Sequence, residues 1–205
     1  MKPQLEKLFR EKCTHPHANG AYTTDKGSDH DYILGYYASE FEGKQDSVTD
    51  ILEIGVMSGG SLMLWHHYFN SANIEGIDVY ENTIKNYESI RGDKEFPRIT
   101  IHIADAYDPQ VCSSLFANGK YDYIIDDGPH SLQSMKDAIS LYMPKLKKGG
   151  KLVIEDVQDY KWFEQLAHHA DSLGYHQHTI FDMRKNKNRS DDMIFELINN
   201  GTKEA

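Results

Sequence analysis

Cysteine is scarce in this chain of 205 residues: Cys13 and Cys112 are the two that it has, and they form no CxxC pair. Two isolated cysteines provide no disulfide framework, so a reducing compartment is expected. Long apolar runs are also missing, because no stretch approaches the roughly 18 residues of a membrane-spanning helix. The charged N-terminus lacks the apolar middle of a signal peptide. These absences predict a soluble, cytoplasmic protein.

Basic residues are outnumbered as well. The chain has 22 Lys and Arg against 32 Asp and Glu, which gives a formal net charge of -10. Such a balance disfavours a surface that tracks the phosphates of nucleic acid or of an anionic membrane. The expected partner is therefore a small-molecule substrate, and the sequence leaves open whether the chain forms a homo-oligomer.

Short apolar runs alternate with helix-like segments from about residue 50 onward, which predicts an α/β domain with a mainly parallel sheet. The predicted strands are 50–55, 74–78, 99–105, 121–126 and 151–156. The predicted helices between and after them are 61–68, 83–90, 109–116, 132–146 and 160–173. Chain length and apolar content favour one sizeable core.

The C-terminal part departs from this alternation. Two further strands, 176–183 and 192–198, follow each other without room for a helix, so they are expected to pair as an antiparallel hairpin across the polar loop 184–192. Residues 1–49 form a predicted helical extension or lid, with helices near 3–12 and 30–41. Residues 50–205 form the main domain.

The segment LEIGVMSGGS, residues 52–61, lies where the first strand turns into the first helix. Its glycines allow close backbone approach to a ligand beside the free N–H groups of a helix start, although a tight turn alone also requires glycine. Asp78 and Asp105 end the next two strands. Acids at successive strand ends converge on the crevice where an open α/β sheet binds its ligands.

With these features, residues 48–198 resemble the class I S-adenosylmethionine-dependent methyltransferases. The resemblance implies a Rossmann-like, seven-stranded, mostly parallel sheet that ends in an antiparallel hairpin. It also implies cofactor-binding roles: the methionine moiety for Gly55 and Gly59, ribose for Asp78, the adenine amino group for Asp105, and the amino-acid end for Glu53. We add Lys26, which we expect to meet the cofactor carboxylate, and Asp126 to this cofactor-binding set.

A second acidic group follows the fourth and fifth strands in the sequences IIDDGPH and VIED. Asp127, Glu155 and Asp156 are expected at the same sheet edge, where three ionised carboxylates require a compensating charge. Hard oxygen ligands favour Mg²⁺ or Mn²⁺. The alternative is that Asp126 and Asp127 only cap the helix beginning near Ser131. Asp126 also remains open as a supporting acid or as the ligand in place of Asp127.

His130 follows this acidic turn, and histidine is the side chain that most readily exchanges a proton near neutral pH. Together with TDKGSDHDYILGYYASEF (24–41), these motifs look like the metal-dependent O-methyltransferases of macrolide and other natural-product sugars and their cephalosporin hydroxylase-like relatives. The resemblance implies metal ligation by Asp127, Glu155 and Asp156 and makes His130 the catalytic base. It therefore predicts Mg²⁺-dependent methylation of a hydroxyl on a small polyhydroxylated substrate, a sugar or glycoside.

Three alternatives remain open at this stage. A catechol-type O-methyltransferase needs the same metal chemistry. A non-catalytic module that binds S-adenosylmethionine would retain the fold, because fold does not fix function. A nicotinamide-dependent oxidoreductase would also use Asp78, although the closing hairpin and the second acidic group disfavour it.

Overall fold

The computed structural model describes residues 4–14 and 22–201. Its main sheet has seven strands, whereas two short segments pair beside the N-terminal helix. The strands are β1 (Cys13–Thr14), β2 (Tyr22–Thr23), β3 (Asp50–Ile54), β4 (Asn73–Asp78), β5 (Ile99–Ile103), β6 (Tyr121–Asp126), β7 (Leu146–Ile154), β8 (His178–Asp182) and β9 (Met193–Ile198). The helices are α1 (Gln4–Lys12), α2 (Ala38–Glu40), α3 (Gly60–Tyr68), α4 (Thr83–Arg91), α5 (Pro109–Leu115), α6 (Leu132–Tyr142), α7 (Trp162–Ser172) and α8 (Arg184–Lys187).

The strand order of the main sheet is β5-β4-β3-β6-β7-β9-β8. The five strands from β3 to β7 are parallel, and β9 pairs antiparallel with both β7 and β8. The predicted mostly parallel seven-stranded sheet with a C-terminal antiparallel hairpin is therefore confirmed. Since the order reverses between β3 and β6, a crevice is expected at the carboxyl ends of these two strands.

Helices cover both faces of the sheet, which is why the central strands are apolar on both sides. One core layer joins the N-terminal helical segment and α3 to the sheet, with Tyr37, Phe41 and Trp65 among its fully buried members. The other layer packs α5, α6 and α7 on the opposite face. Of the described helices, none has the length and apolar character needed to cross a bilayer.

Four predicted elements differ from the observed ones. The helix predicted over 132–146 ends at Tyr142, because Pro144 cannot continue the backbone hydrogen bonding; a 3₁₀ turn (Met143–Lys145) follows, and β7 begins at Leu146 rather than 151. The predicted loop 184–192 contains α8, which is followed by Asn188 in the left-handed region at φ 58°.

The second N-terminal helix also differs, because it begins as a π-helical turn (Ile33–Tyr37) that continues into α2. Side chains on both sides of the predicted boundary at residue 49 share the first core layer. The boundary itself stays a prediction. Residues 1–3, 15–21 and 202–205, which belong to the predicted N-terminal extension and C-terminal end, lie outside the described part of the chain.

Candidate functional site

The acidic residues after β6 and β7 lie side by side because the two strands are parallel neighbours. Asp126 is opposite Ile154 in the register, so Asp127 and Glu155 leave the sheet at the same level. The ladder continues past the strand ends, since the Glu155 N–H donates to the carbonyl of Asp126 at 3.0 Å. The expected convergence of these carboxylates at one sheet edge follows from this register.

Asp127, His130 and Asp156 form a compact group in which one potential ligand atom of each lies within 4.8 Å of the others. His130 Nε2 is 3.5 Å from Asp156 Oδ2 and 3.9 Å from Asp127 Oδ1. His130 and Asp156 both have positive φ, at 55° and 54°. A positive φ is uncommon outside glycine, although Asp and His adopt it more readily than most residues, and such conformations concentrate at functional sites. We call this group the Asp127–His130–Asp156 cluster.

Lys26 inserts its ammonium beside the cluster. Its Nζ donates to Asp127 Oδ2 at 2.6 Å and to Glu155 Oε2, and lies 3.5 Å from Glu53 Oε1. Burial acts to lower the pKa of Lys26, but the surrounding carboxylates outweigh it and raise that pKa well above its ordinary value. Lys26 is therefore a buried ammonium ion held by several acids.

The carboxylates respond to this environment in different directions. Burial would raise the pKa of Asp127, but the charge and hydrogen bond of Lys26 bring it below its ordinary value. Burial raises the pKa of Glu155 well above its ordinary range despite Lys26. Burial and the nearby charge of Asp127 also raise the pKa of Asp156. If all of these carboxyls were ionised, the group would carry more negative charge than one ammonium offsets, which is why the pKa values of Glu155 and Asp156 rise.

Two tyrosines of the N-terminal segment hold the acids from the other side. The Tyr37 hydroxyl donates to Glu155 Oε1 at 2.7 Å, and the Tyr32 hydroxyl donates to Asp156 Oδ1 at 2.5 Å. His30, stacked on Tyr32 with ring centroids 4.8 Å apart, brings Nδ1 to 3.2 Å from the same Asp156 oxygen. Tyr32, Tyr37 and His30 thus orient the carboxylates of Glu155 and Asp156.

The glycine-rich turn after β3 lies against the acidic turn. Gly55 has φ 85°, and a Cβ there would be 1.9 Å from the carbonyl oxygen of Asp127, so glycine is required for this close approach. Gly59, at φ 74°, precedes the first turn of α3. Asp78 Oδ2 accepts the backbone N–H groups of Val56 and Met57 at 2.9 and 2.7 Å. Asp78 thereby fixes the turn.

The remaining predicted residues occupy distinct surroundings. Glu53 is fully buried and accepts hydrogen bonds from Ser61 Oγ at 2.6 Å and Trp65 Nε1 at 2.8 Å. Asp105 is exposed and lies two residues after the end of β5. Asp126 is buried under the Tyr107 hydroxyl, at 2.5 Å, and burial raises its pKa to about 7.

The question of helix capping is answered by α6. Its N-cap is Ser131, whose side chain accepts from the Ser134 N–H while the Ser134 hydroxyl accepts from the Ser131 N–H. Asp126 and Asp127 are thus not the caps of this helix. A serine three residues before another serine is the signal from which this cap was predictable.

Comparison with known proteins now bears on these residues. A family model described as "Methyltransferase domain" matches residues 52–157, which is just over half of the chain and contains the glycine-rich turn and all three acids of the second group. The chain belongs to this methyltransferase-domain family. The fold and the methyltransferase family that the sequence motifs predicted are both confirmed.

Relatives that are named as O-methyltransferases extend the likeness. Demethylmacrocin O-methyltransferase of Streptomyces fradiae is 29% identical over 149 residues, covering 69% of this chain and 35% of the relative. The 8-demethyl-8-alpha-L-rhamnosyl tetracenomycin-C 2'-O-methyltransferase of Streptomyces olivaceus is 32% identical over 147 residues, covering 68% and 36%. The chain thus matches about a third of the length of these relatives.

A solved structure shows a similar arrangement of the backbone. The MycE methyltransferase of the mycinamycin biosynthetic pathway, in complex with Mg, SAH and mycinamycin VI, superimposes with a TM-score of 0.56. It is 25% identical to this chain, and the match covers 76% of this chain and 37% of MycE. As a resemblance, the predicted likeness to natural-product sugar O-methyltransferases is confirmed.

Within the methyltransferase domain, the three predicted metal ligands do not all face the same space. Asp127 and Asp156 face a common space with His130, whereas Glu155 directs both oxygens to Lys26 and Tyr37. Asp127, rather than Asp126, belongs to the cluster. The cofactor-binding roles of Lys26, Glu53, Gly55, Gly59, Asp78, Asp105 and Asp126 stay predictions, as do the roles of Asp127, Glu155, Asp156 and His130.

Proposed function

We propose that this chain transfers a methyl group from S-adenosylmethionine to a hydroxyl of a small polyhydroxylated substrate, a sugar or glycoside, and that the reaction requires Mg²⁺. The observation that carries the proposal is the Asp127–His130–Asp156 cluster at the sheet edge beside the glycine-rich turn. The natural-product sugar O-methyltransferases that the chain resembles support the substrate class.

The residues present suit a hard divalent cation. Asp127 and Asp156 offer oxygen ligands, and the acids exceed the charge of the ammonium that contacts them. Arg189 also lies near Asp156, but its guanidinium pairs with Asp191 at 2.9 Å. When bound at Asp127 and Asp156, the cation supplies positive charge that favours the ionised form of a neighbouring hydroxyl.

His130 then serves as the general base. Its side chain is 30% exposed, and Nε2 faces the two aspartates. Nε2 takes the proton of the acceptor hydroxyl, and the acceptor oxygen forms a bond to the methyl carbon as the carbon–sulfur bond breaks, with the electron pair remaining on sulfur. The proton stays on the imidazole, Asp156 stabilises the positive charge that develops there, and Tyr32 fixes the orientation of Asp156.

The test combines binding with transfer. We expect calorimetry to detect S-adenosylmethionine binding to the purified chain, and Mg²⁺ binding that is lost in Asp127→Asn. We expect His130→Asn to reduce transfer to a panel of sugars and glycosides by roughly 10²–10⁴-fold while Mg²⁺ still binds. The matched control is His176→Asn, because His176 is exposed and distant in sequence from the acidic turns.

Each contrary result selects one alternative. Methylation of catechols but not of sugars would make this a catechol-type enzyme. Cofactor binding with full transfer in the presence of a chelator would remove the metal requirement. Cofactor binding without transfer to any acceptor in the panel would favour a non-catalytic module, and binding of NADH in place of S-adenosylmethionine would favour an oxidoreductase.

A further inference from the structure

Lys26 reaches the acidic group from far away in the sequence. It lies 101 positions before Asp127 and 129 before Glu155, yet its ammonium donates to both, and its side chain is 1% exposed. Burying a lysine in this way is unfavourable unless its charge is compensated. The three acids around Nζ, namely Glu53, Asp127 and Glu155, provide this compensation.

Asp127 is shared between Lys26 and the cluster. Its Oδ2 accepts from Lys26 at 2.6 Å, whereas its Oδ1 faces His130 Nε2. An ammonium on one oxygen reduces the negative potential at the other. Two cations that use one carboxylate also repel each other, and this repulsion is strong where water is largely excluded. A divalent cation at Oδ1 therefore binds against the charge of Lys26.

We infer that Lys26 is a built-in counter-ion that antagonises divalent-cation binding at the Asp127–His130–Asp156 cluster. It holds Asp127 and Glu155 in place before the cation arrives, and it weakens the affinity for that cation. The inference rests on the proposed function, because it concerns the cation that the proposed reaction requires. Lys26 acts through Asp127 and is a positioning residue rather than a catalytic one.

If the role of Lys26 were purely structural, its removal would change the Mg²⁺ affinity in the opposite direction. If Lys26 only kept the carboxylates in position, its removal would disorder Asp127 and weaken cation binding. If Lys26 competes electrostatically, its removal adds one net negative charge beside the cluster and tightens cation binding. The direction of the change in Mg²⁺ affinity therefore separates the two roles, independently of enzymatic turnover.

The chain offers a matched control in Lys151, which likewise donates to two carboxylates, those of Glu40 at 2.7 Å and Glu196 at 2.9 Å. The experiment is a calorimetric titration of Mg²⁺ into the wild-type chain, Lys26→Met, Lys26→Arg and Lys151→Met. We expect Lys26→Met to bind Mg²⁺ about tenfold more tightly or better. Lys26→Arg, which keeps the charge, and Lys151→Met should both stay within about threefold of wild type.

Melting temperature provides the second measurement. Without Mg²⁺, Lys26→Met is expected to melt below wild type, and saturating Mg²⁺ should raise its melting temperature by more than it raises that of wild type. If Lys26→Met is unfolded without Mg²⁺, recovery of the fold on adding Mg²⁺ supports the inference. A chain that stays unfolded in both conditions overturns it, because the divalent cation then does not replace the ammonium.

The titration distinguishes failure of the inference about Lys26 from failure of the proposed metal requirement. Equal or weaker Mg²⁺ binding in Lys26→Met, with normal binding in wild type, overturns the role of Lys26 alone. The absence of Mg²⁺ binding in both the wild type and Lys26→Met overturns the metal requirement of the proposed function and this inference together.

Discussion

Two groups of buried or partly buried carboxylates and lysines in this chain look alike in composition but differ in charge balance. In one, Lys26 contacts Glu53, Asp127 and Glu155, with Asp156 close by. In the other, Lys44 and Lys151 face Glu40 and Glu196, together with the hydroxyls of Tyr36 and Tyr123. We call these the acid-rich group and the balanced group.

The pKa values of the glutamates reflect the ratio of lysines to acids in each group. Burial acts to raise the pKa of Glu40, but hydrogen bonds from Lys151, Lys44 and Tyr123 lower it below its ordinary value. Burial raises the pKa of Glu155 well above its ordinary value even with Lys26 in contact. Both groups thus place glutamates beside lysines, but in the acid-rich group one ammonium faces three acids. On the proposed function, this difference separates a cation-binding site from an ion network that joins elements of the fold.

Among substitutions that test the difference between the two groups, Asp127→Asn is expected to have the largest effect on activity and Mg²⁺ binding. The substitution removes the carboxylate that faces both Lys26 and His130. We expect methyl transfer to fall by about 10³-fold or more and Mg²⁺ affinity by about a hundredfold. Steady-state kinetics and calorimetry check these values. The matched variant in the balanced group is Glu40→Gln, and an equal loss of Mg²⁺ binding in that variant would contradict the distinction.

Lys151→Met tests the balanced group. Lys151 is 18% exposed, and its removal leaves Glu40 and Glu196 without the ammonium that joins them. We expect the free energy of unfolding to drop by about 2–3 kcal/mol. Urea unfolding with and without Mg²⁺ measures the change.

The loss of stability in Lys151→Met should be the same with and without Mg²⁺, because we expect the balanced group not to bind a divalent cation. Recovery of stability on adding Mg²⁺ would show that the balanced group also binds the ion. In that case charge balance would not discriminate between the two groups.

The acids of the site were predictable from the sequence, whereas their partners were not. Asp127, Glu155 and Asp156 follow apolar runs that end at the same edge of a parallel sheet, so a local pattern plus one rule of topology brings them together. Lys26 lies 101 positions before Asp127, and Tyr32 lies 124 positions before Asp156. No periodicity or spacing connects such distant residues. Their roles depend on how the N-terminal segment packs over the sheet.

The boundaries of the helices and strands can also be divided into those that were predictable from the sequence and those that were missed. The strands of the parallel sheet were predicted within a few residues, apart from the start of β7, since alternating apolar segments are local signals. The end of α6 was missed although Pro144 marks it in the sequence. The Ser131–Ser134 cap was also missed, although its residues are only three positions apart in the chain. These two errors concern local chemistry that the sequence contains, unlike the long-range contacts of Lys26.

A smaller effect is expected from the tyrosines that serve the two groups. Tyr32 donates to Asp156 at 2.5 Å, and Tyr36 donates to Glu196 at 2.5 Å. Tyr32→Phe should weaken Mg²⁺ binding by about tenfold, because it removes a partner that orients a ligand. Tyr36→Phe should leave Mg²⁺ binding unchanged and reduce stability by about 1 kcal/mol. Calorimetry and urea unfolding on both variants provide the comparison, and equal Mg²⁺ affinities would contradict it.

The smallest expected effect concerns pH and lies outside both groups. Both ring nitrogens of His66 are buried and have no hydrogen-bond partner in the described part of the chain. Burial, with the charges of Arg98 and His67, lowers the pKa of His66 to about 4. The unfolded chain takes up this proton near pH 6.5, whereas the folded chain does so near pH 4. Stability is therefore lost as pH falls through this window.

His66→Phe retains the edge contact with Phe96, at 5.1 Å between ring centroids, and removes the titration. We expect the loss of stability between pH 6.5 and pH 4 to become smaller by about 1–2 kcal/mol, measured by urea unfolding along the pH series. His176→Asn, at an exposed histidine, should leave the slope unchanged. An unaltered slope in His66→Phe would mean that this part of the acid sensitivity arises elsewhere. The carboxylates of the two groups would then be the first residues to substitute.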